Sequence, residues 1–585
     1  MNLSSTSKQI VIRLATQEDR EMIYRRRHDV YACELGQHPA NAGAALSDAL
    51  DEFNVYLVAR CNGALAGFVS ITPPGFDRYS IDKYFSRADF PELQCDRLHE
   101  IRLLTVMNGF RGREIAGLLM YAALRWIENR GGKRIVAIGR REVLDLYLHV
   151  GLEKLGRQIR SGAVTYELLS ASTAQLSART KSFAAVLNRF QRIAEWQLDF
   201  PFAKPAACFH GGAFFDAIGV EFDNLKRRHE IINADVLDAW FAPSPKVLAA
   251  LQEDLPWLLR TSPPAGCEGM VRAIARARGV PARCVLPGAG SSDLIFLALR
   301  HWLKPGSRVL ILDPTYGEYA HVLEQVVRCR VDRFPLERAA GYEVDLAKLQ
   351  EFAARAYDLI VLVNPNSPTG RHVPREKLEA VLRSVPLKTR VWIDETYVEY
   401  AGADQSLERF AVGTPNVVIC KSMSKVYALS GVRAAYLCGP ADVMDDLRAV
   451  TPPWAVSLPA QVAAVAALRD PVYYAARYVE THRLRGELAA GLSAATDWEI
   501  LPGIANFLLC HLPKDGVTAE QFVKQCRAEG LFLRDAAAMG RRLGTHALRI
   551  AIKDEGTNRR MLEILKRVNN GFLRKARMSF SIQPA

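Results

Sequence analysis

The chain has no C-x-x-C pair, although eleven cysteines are scattered through its 585 residues. That argues against the common zinc and dithiol-redox motifs, and an odd count without a framework fits free thiols in a reducing compartment. No metal site is expected. No apolar run reaches membrane-spanning length, so no membrane partner is expected. The opening stretch MNLSSTSKQIVIRLATQEDREM has no apolar core after its first lysine, which argues against a signal peptide and for a cytoplasmic protein. Internal repeats, long low-complexity tracts and any RNA- or DNA-binding module are also missing. The formal net charge of +13 is spread widely, apart from Arg25, Arg26, Arg27 and a basic tail over 566–577. Phosphate-bearing small molecules therefore account for the sign better than nucleic acid does.

What is present is ordinary in bulk and informative in detail. Hydrophobic residues make up 49% and charged residues 24%, as in globular proteins. The length exceeds one core and predicts roughly two to four domains. The run KSMSKVYALSGVR at 421–433 follows a short apolar strand beginning at Asn416. Lys425 thus lies just past a strand end, where α/β enzymes place ligands. A lysine amine there can form a Schiff base with an aldehyde cofactor, and Ser422, Ser424 and Arg433 can hold its phosphate. An ordinary surface lysine is the alternative.

From the start, IVIRL at 10–14 reads as a strand, and Thr16 with Asp19 reads as a helix start. The runs 54–60 and 65–71 flank a Cys61-Asn62-Gly63 turn, as in a hairpin. A strand over 98–106 leads into FRGREIAGLLM at 110–120, a basic loop opening a helix. Amides of a helix's first turn bind anions, and Arg111 and Arg113 add charge.

With the strand over 134–138 and LYLHVGLE at 146–153, this stretch resembles the GNAT family of acyl-CoA-dependent N-acyltransferases. The resemblance covers most of residues 8–170. It implies acetyl-CoA or another acyl-CoA as donor. It also implies Tyr147 as the acid that protonates the leaving thiolate, and Glu100 as a relay for the acceptor amine's proton. The pyrophosphate would rest on amides from Arg111 through Gly112 and Arg113 to Ala116. Core roles are the alternatives for Tyr147 and Glu100, the latter in an ion pair with Arg102 or another base. Glu114 stands where the family has a glycine, and Leu152 where it has an aromatic. Arg27, Tyr31 and Glu34 resemble, more weakly, a branch that acylates amino acids or forms acyl-homoserine lactones; acetyl-CoA ranks above its long-chain donors. Residues 1–172 are assigned to this domain.

Residues 173–230 read as a connecting helix, with apolar spacing at Leu176, Phe183, Val186, Leu187 and Phe190, and then an arm broken by DFPFAKP at 199–205 and HGG at 210–212.

From 231 to 578, strands at 308–312, 359–363, 391–393 and 417–419 alternate with helices, which predicts a mostly parallel α/β sheet. PGAGSSD at 287–293 opens a helix, and Gly290 and Ser291 let amides approach a phosphate, a plain turn being the alternative. Tyr316, in DPTYGEY, can stack on a flat ring. NPNSPTG at 364–370 forms a rigid loop. Asp394, in IDETY, can keep a pyridine nitrogen protonated, with a helix cap or salt bridge as the alternative. In this order, the stretches resemble fold-type I pyridoxal-phosphate enzymes of aminotransferase class I/II, nearest to the histidinol-phosphate aminotransferase and threonine-phosphate decarboxylase group. The resemblance implies a large, seven-stranded-type α/β/α domain and a small α/β domain over about 455–578. It implies pyridoxal 5'-phosphate held by Lys425, Asp394, Tyr316, Tyr397, Ser367, Gly290, Ser291, Ser422, Ser424 and Arg433. Asn506, Arg534 and Arg549 would meet the substrate, with Arg549 on its carboxylate. Serine at 367 replaces the family's asparagine. RTSP at 260–263 lacks the tyrosine that reaches a partner subunit, although a homodimer is still expected.

The α/β chain is therefore read as a two-enzyme fusion. A pyridoxal-phosphate domain transaminates an amino acid or amino-phosphate compound, and a GNAT-type domain transfers an acyl group. The alternative is a decarboxylase with a non-catalytic, sensing N-terminal domain.

Overall fold

The computed structural model describes residues 10–76, 78–111, 114–204, 208 and 212–580, with side chains throughout except at 181 and 575–580. Gly112 and Arg113, expected in the pyrophosphate cradle, lie outside these residues, as do parts of the two breaker runs. The chain forms two compact units that divide after residue 205.

The first unit is an eight-stranded sheet. Its order is Glu153–Ser161, Val164–Ser172, Arg134–Arg140, Leu98–Val106, Ala64–Thr72, Val55–Cys61, Ile10–Leu14 and Ala194–Gln197. The expected helix start is present as a capping box. Thr16 accepts from the Asp19 amide, Asp19 accepts from the Thr16 amide, and the helix Gln17–Arg27 follows. The helix Ile115–Asn129 buries Leu118, Leu119, Ala122, Ala123 and Trp126 against the sheet.

Two features set the central strand Leu98–Val106 apart from a regular one. Its parallel pairing with Arg134–Arg140 runs only from Leu98 and Arg134 to Ile101 and Ala137. Its antiparallel pairing with Ala64–Thr72 slips between Phe68 and Ser70, opposite Leu103, whose φ is +55°. Leu103 is the extra residue of a β-bulge. In a regular strand, residues three apart face opposite sides. Here the bulge restores the phase, so Arg102 and Thr105 share one side of the sheet while Ile101 and Leu104 share the other.

The boundary expected at 172 is corrected, because residues 173–204 complete the first unit. Ala194–Gln197 pairs in parallel with Ile10–Leu14. The expected single helix is broken into Thr173–Arg179, a 3₁₀ turn Thr180–Phe183, and Ala184–Ile193. The hydroxyls of Thr180 and Ser182 donate to the carbonyls of Ser177 and Arg179, which competes with the helical ladder.

The second unit carries a seven-stranded sheet in the order Val285–Gly288, Ala435–Cys438, Val417–Ser422, Arg390–Asp394, Leu359–Val363, Arg308–Asp313 and Arg330–Pro335. Ala435–Cys438 is antiparallel to both neighbours. Leu310, Leu312, Ile360 and Leu362 enter one core, and Val309, Ile311, Leu359 and Val361 enter another. Burial on both faces explains why these strands read as unbroken apolar runs. A smaller sheet joins Glu499–Leu501, Phe507–His511, Ala547–Ala551 and Arg534–Asp535. Among the described residues no helix is long and apolar enough to cross a membrane, and no cluster of metal-ligating side chains occurs.

Candidate active sites

In the second unit, four neighbouring parallel strands deliver their C-terminal ends to one place. Asp394 ends its strand and is paired in register with Cys420 of the next one, three residues before the 423–433 loop. The loop over 364–370 follows the adjacent strand, and Tyr316 follows the one beyond.

Asp394 is buried and accepts at both oxygens. Tyr319 Oη donates to Oδ2 at 2.8 Å, while the Thr396 amide and hydroxyl donate to Oδ1 at 2.9 and 2.6 Å. Trp392 Nε1 in turn donates to Tyr319 Oη at 2.8 Å. Burial raises the Asp394 carboxyl above its usual range, although these bonds oppose the shift. A bound cation beside it would favour the ionised form.

Lys425 Nζ meets Asp238 Oδ1 at 2.9 Å. Burial and the Lys425 charge draw Lys553 down to about 8, although Asp238 pulls the other way. Gly290, with φ of +94°, caps the helix Ser291–Trp302. A Cβ on it would lie 2.2 Å from Arg433 Nη2. Glycine is thus what lets the helix N-terminus and the Arg433 guanidinium approach one another. Ser422 and Ser424 are buried alongside, with the Ser424 amide 3.3 Å from Ser422 Oγ.

The substrate-end residues expected from sequence are largely engaged with the 232–241 segment. Arg549 Nη2 donates to the Asp235 carbonyl at 3.0 Å, and Nη1 to Ser367 Oγ at 3.2 Å. Burial draws its guanidinium down to about 10. Arg534 Nε pairs with Asp235 at 2.5 Å. Asn506 Nδ2 holds the Leu237 carbonyl at 3.0 Å. Buried Arg549 Nε and Asn506 Oδ1 have no hydrogen-bond partner. Tyr397 is buried edge-on to Phe507. Tyr316 Oη donates to Glu318 at 2.7 Å. Sequence reading did not single out Tyr319, Thr396 or Asp238. The first two sit within motifs already quoted, one turn or two residues from the named side chain, whereas Asp238 carries no local signal.

In the first unit, a cavity of about 430 Å³ is lined by Arg27, Tyr31, Asp48, Arg102, Arg140 and Tyr147, among others. Arg27 donates to Asp51 at 2.6 Å and to Asp48 at 3.1 Å, and Arg102 also pairs with Asp48. Burial works against charge on Asp48, but the Arg102 bond and the Arg102 and Arg27 charges outweigh it and bring the carboxyl to about 2. Tyr147 lines this cavity, and burial pushes its hydroxyl up to about 12. Ala116 lines it as well, and Arg111 at its rim is paired with Glu34 at 2.8 Å.

The relay role expected of Glu100 is corrected. Its carboxylate accepts from the Ser80 amide at 2.7 Å, the Ser80 hydroxyl at 2.5 Å and the Ile81 amide at 3.1 Å. It therefore fixes the turn behind the cavity instead of facing it. The alternative ion pair with Arg102 does not form either, since Arg102 is turned to Asp48.

A family model described as aminotransferase class I and II matches residues 234–567, more than half of the chain. The chain belongs to that family. A second model, the acetyltransferase (GNAT) family, matches residues 20–151, so a GNAT domain precedes the aminotransferase domain. The histidinol-phosphate aminotransferase of Anaeromyxobacter sp. (strain Fw109-5) is 31% identical over 355 residues, 60% of this chain and 95% of the relative. Its namesake 1 from Thiobacillus denitrificans is 31% identical over 359 residues, 60% and 90% of the two chains. Two of the solved structures that share the aminotransferase fold bear on the chemistry. One is a histidinol-phosphate aminotransferase from Sinorhizobium meliloti in complex with pyridoxal-5'-phosphate (22% identity, 64% of this chain and 96% of that one, TM-score 0.54). The other is L-threonine-O-3-phosphate decarboxylase from Porphyromonas gingivalis (24% identity, 58% and 99%, TM-score 0.51).

Proposed function

We propose that the aminotransferase domain transfers the amino group of an amino acid or amino-phosphate compound with pyridoxal 5'-phosphate, and that the GNAT domain acylates an amine from an acyl-CoA thioester. The convergence of Asp394, Lys425 and the Gly290–Arg433 cradle carries the first half. When bound, the cofactor supplies an aldehyde for the amino group and a ring that withdraws electrons from the substrate α-carbon. The buried Asp394 carboxylate, already oriented by Tyr319 and Thr396, would keep the ring nitrogen protonated. Tyr316 would hold the ring by stacking, and Ser367 and Tyr397 would bond its phenolic oxygen. Gly290 and Ser291, through their amides, would hold the phosphate with Ser422, Ser424 and Arg433. Lys425 Nζ takes the α-proton as general base and returns it as general acid. Arg549 holds the substrate carboxylate, with Arg534 and Asn506 at the same end. The partners are small molecules, in the cytoplasm, and the working form is a homodimer.

In the GNAT domain, the amine nitrogen forms a bond to the thioester carbonyl carbon as the C–S bond breaks. The amine's proton leaves to solvent, and the Tyr147 hydroxyl protonates the departing sulfur. Arg27, Lys83, Arg102, Arg111 and Arg140 outnumber Glu34 and Asp48 around the cavity, which favours anionic ligands.

The test combines attachment with turnover. Borohydride reduction of the cofactor-saturated protein should fix the added mass on the peptide containing Lys425. A panel of amino acids and amino phosphates should then yield the corresponding oxo acid or oxo compound from one member. Carbon dioxide release without oxo product would instead favour the decarboxylase, and label on another peptide would remove Lys425 from its role.

A further inference from the structure

Beyond Ile101 and Ala137 the two central strands of the first unit part. The polar cavity lies at this gap. A second cavity, of about 270 Å³, borders the same gap and is walled by Met120, Leu124, Leu176, Phe183, Leu187 and Phe190. Leu104, Leu146 and Tyr147 line both cavities, so the two adjoin at the residue assigned as the acid.

We infer that the second cavity receives the alkyl chain of a long-chain acyl thioester, so that the GNAT domain transfers a fatty acyl group in preference to acetyl. The inference rests on the acyltransferase reading and names its donor class. Four observations carry it. An acetyl group presents one methyl, which leaves such a cavity vacant, whereas protein interiors pack with few voids larger than water. The walls are almost wholly hydrocarbon and aromatic, His149 being the one basic side chain among them, and the hydroxyls of Tyr121 and Thr180 point their hydrogen bonds to the carbonyls of Phe202 and Ser177. A pocket with such a lining takes apolar ligands. The bulge at Leu103 turns Leu104 to this side beside Ile101, so the central strand contributes two side chains to the wall. Finally, the segment 173–193 covers the cavity and is fastened to the thioester loop. Arg189 pairs with Glu114, and Gly117 allows Phe190 to seat, since a Cβ there would lie 2.8 Å from its ring. The glutamate at 114, where the family has glycine, thus anchors the cover.

The chain is the shared chemistry of two donors, a coenzyme A thioester and an acylated carrier protein, so the experiment has an arm for each. Affinities of the full-length protein are measured for acetyl-, butanoyl-, octanoyl- and dodecanoyl-CoA, and for an acyl carrier protein bearing the same chains. Affinity should rise about fourfold per added methylene until the cavity is full, then level off. That slope on either donor supports the inference, and the donor that shows it is the source. Equal affinity for acetyl and octanoyl donors overturns the inference and leaves the acyltransferase reading standing. No binding of any thioester overturns both. Leu187→Trp, which fills the cavity from its cover, should cut the octanoyl-to-acetyl affinity ratio at least tenfold, and an unchanged ratio also overturns the inference. The wild-type series decides the matter if that variant does not fold.

Discussion

In the aminotransferase domain the candidate site residues stand at the ends of neighbouring parallel strands, each delivered by its own loop. In the GNAT domain the candidate site is a gap within a sheet, made where two paired strands stop pairing. The first arrangement puts chemistry in the loops and leaves the sheet intact. The second puts it in the sheet itself, so that a bulge, a missing pairing and a covering helix decide what fits. One site is specified mainly by which residues are present, and the other mainly by the shape of the backbone around them.

This contrast gives four expectations, of decreasing size. Lys425→Ala should lower oxo-acid formation at least about a thousandfold, with thioester consumption measured on the same sample unchanged. Loss of both would show that the two chemistries are not separable. Tyr147→Phe should lower thioester turnover roughly tenfold to a hundredfold while thioester affinity holds. With its hydroxyl at about 12, the wild-type acid should stay protonated across the neutral range, so its rate should show no loss there from Tyr147 ionisation.

The third expectation concerns acid. Burial opposes charge on Asp19 as well as on Asp48. At Asp19 the Thr16 amide, Arg13 and Arg60 outweigh it, and each carboxyl comes to about 2. A depressed carboxyl contributes stability that is complete above its unfolded value near 4 and is lost as pH falls toward 2. Each group contributes about 2 kcal/mol, or about thirtyfold. Hydrogen exchange followed by peptide should show the first unit loosening over that window, and Asp19→Asn should flatten the response. Fourth, Gly290→Ala forces a side chain into a left-handed conformation against Arg433. It should raise the cofactor's apparent Kd about tenfold, measured by equilibrium dialysis. An unchanged Kd would mean that this cradle does not hold the phosphate.

Much of the aminotransferase domain was legible because its strands are buried on both faces and its motifs follow their ends. Asp394 and Lys425 stood out through local spacing alone. Asp238 did not, since it meets Lys425 from 187 positions away and belongs to a segment with no periodic signal. In the GNAT domain the elements were legible and the site was not. Glu100 had the right residue type on the right strand, but its carboxylate is taken up by Ser80 and Ile81. The segment 173–193 showed its apolar face at Leu176, Phe183, Leu187 and Phe190, yet nothing in that spacing says which surface it covers. Register and burial decide such questions, and both depend on residues far away in sequence.

The bulge at Leu103 also fixes a parity for the chain. Because side chains alternate along a strand, the positions after Leu103 are read in the opposite sense to those before it. Drawing Leu103 into regular pairing, with the residue kept, would exchange the two faces from 104 to 106. Thr105 would leave its 3.0 Å partner Tyr31, and Leu104 would quit the apolar wall. Deleting Leu103 would instead remove the bulge and leave 104–106 facing as they do, so the bulge lets this strand carry one residue more than its neighbour with no change of face.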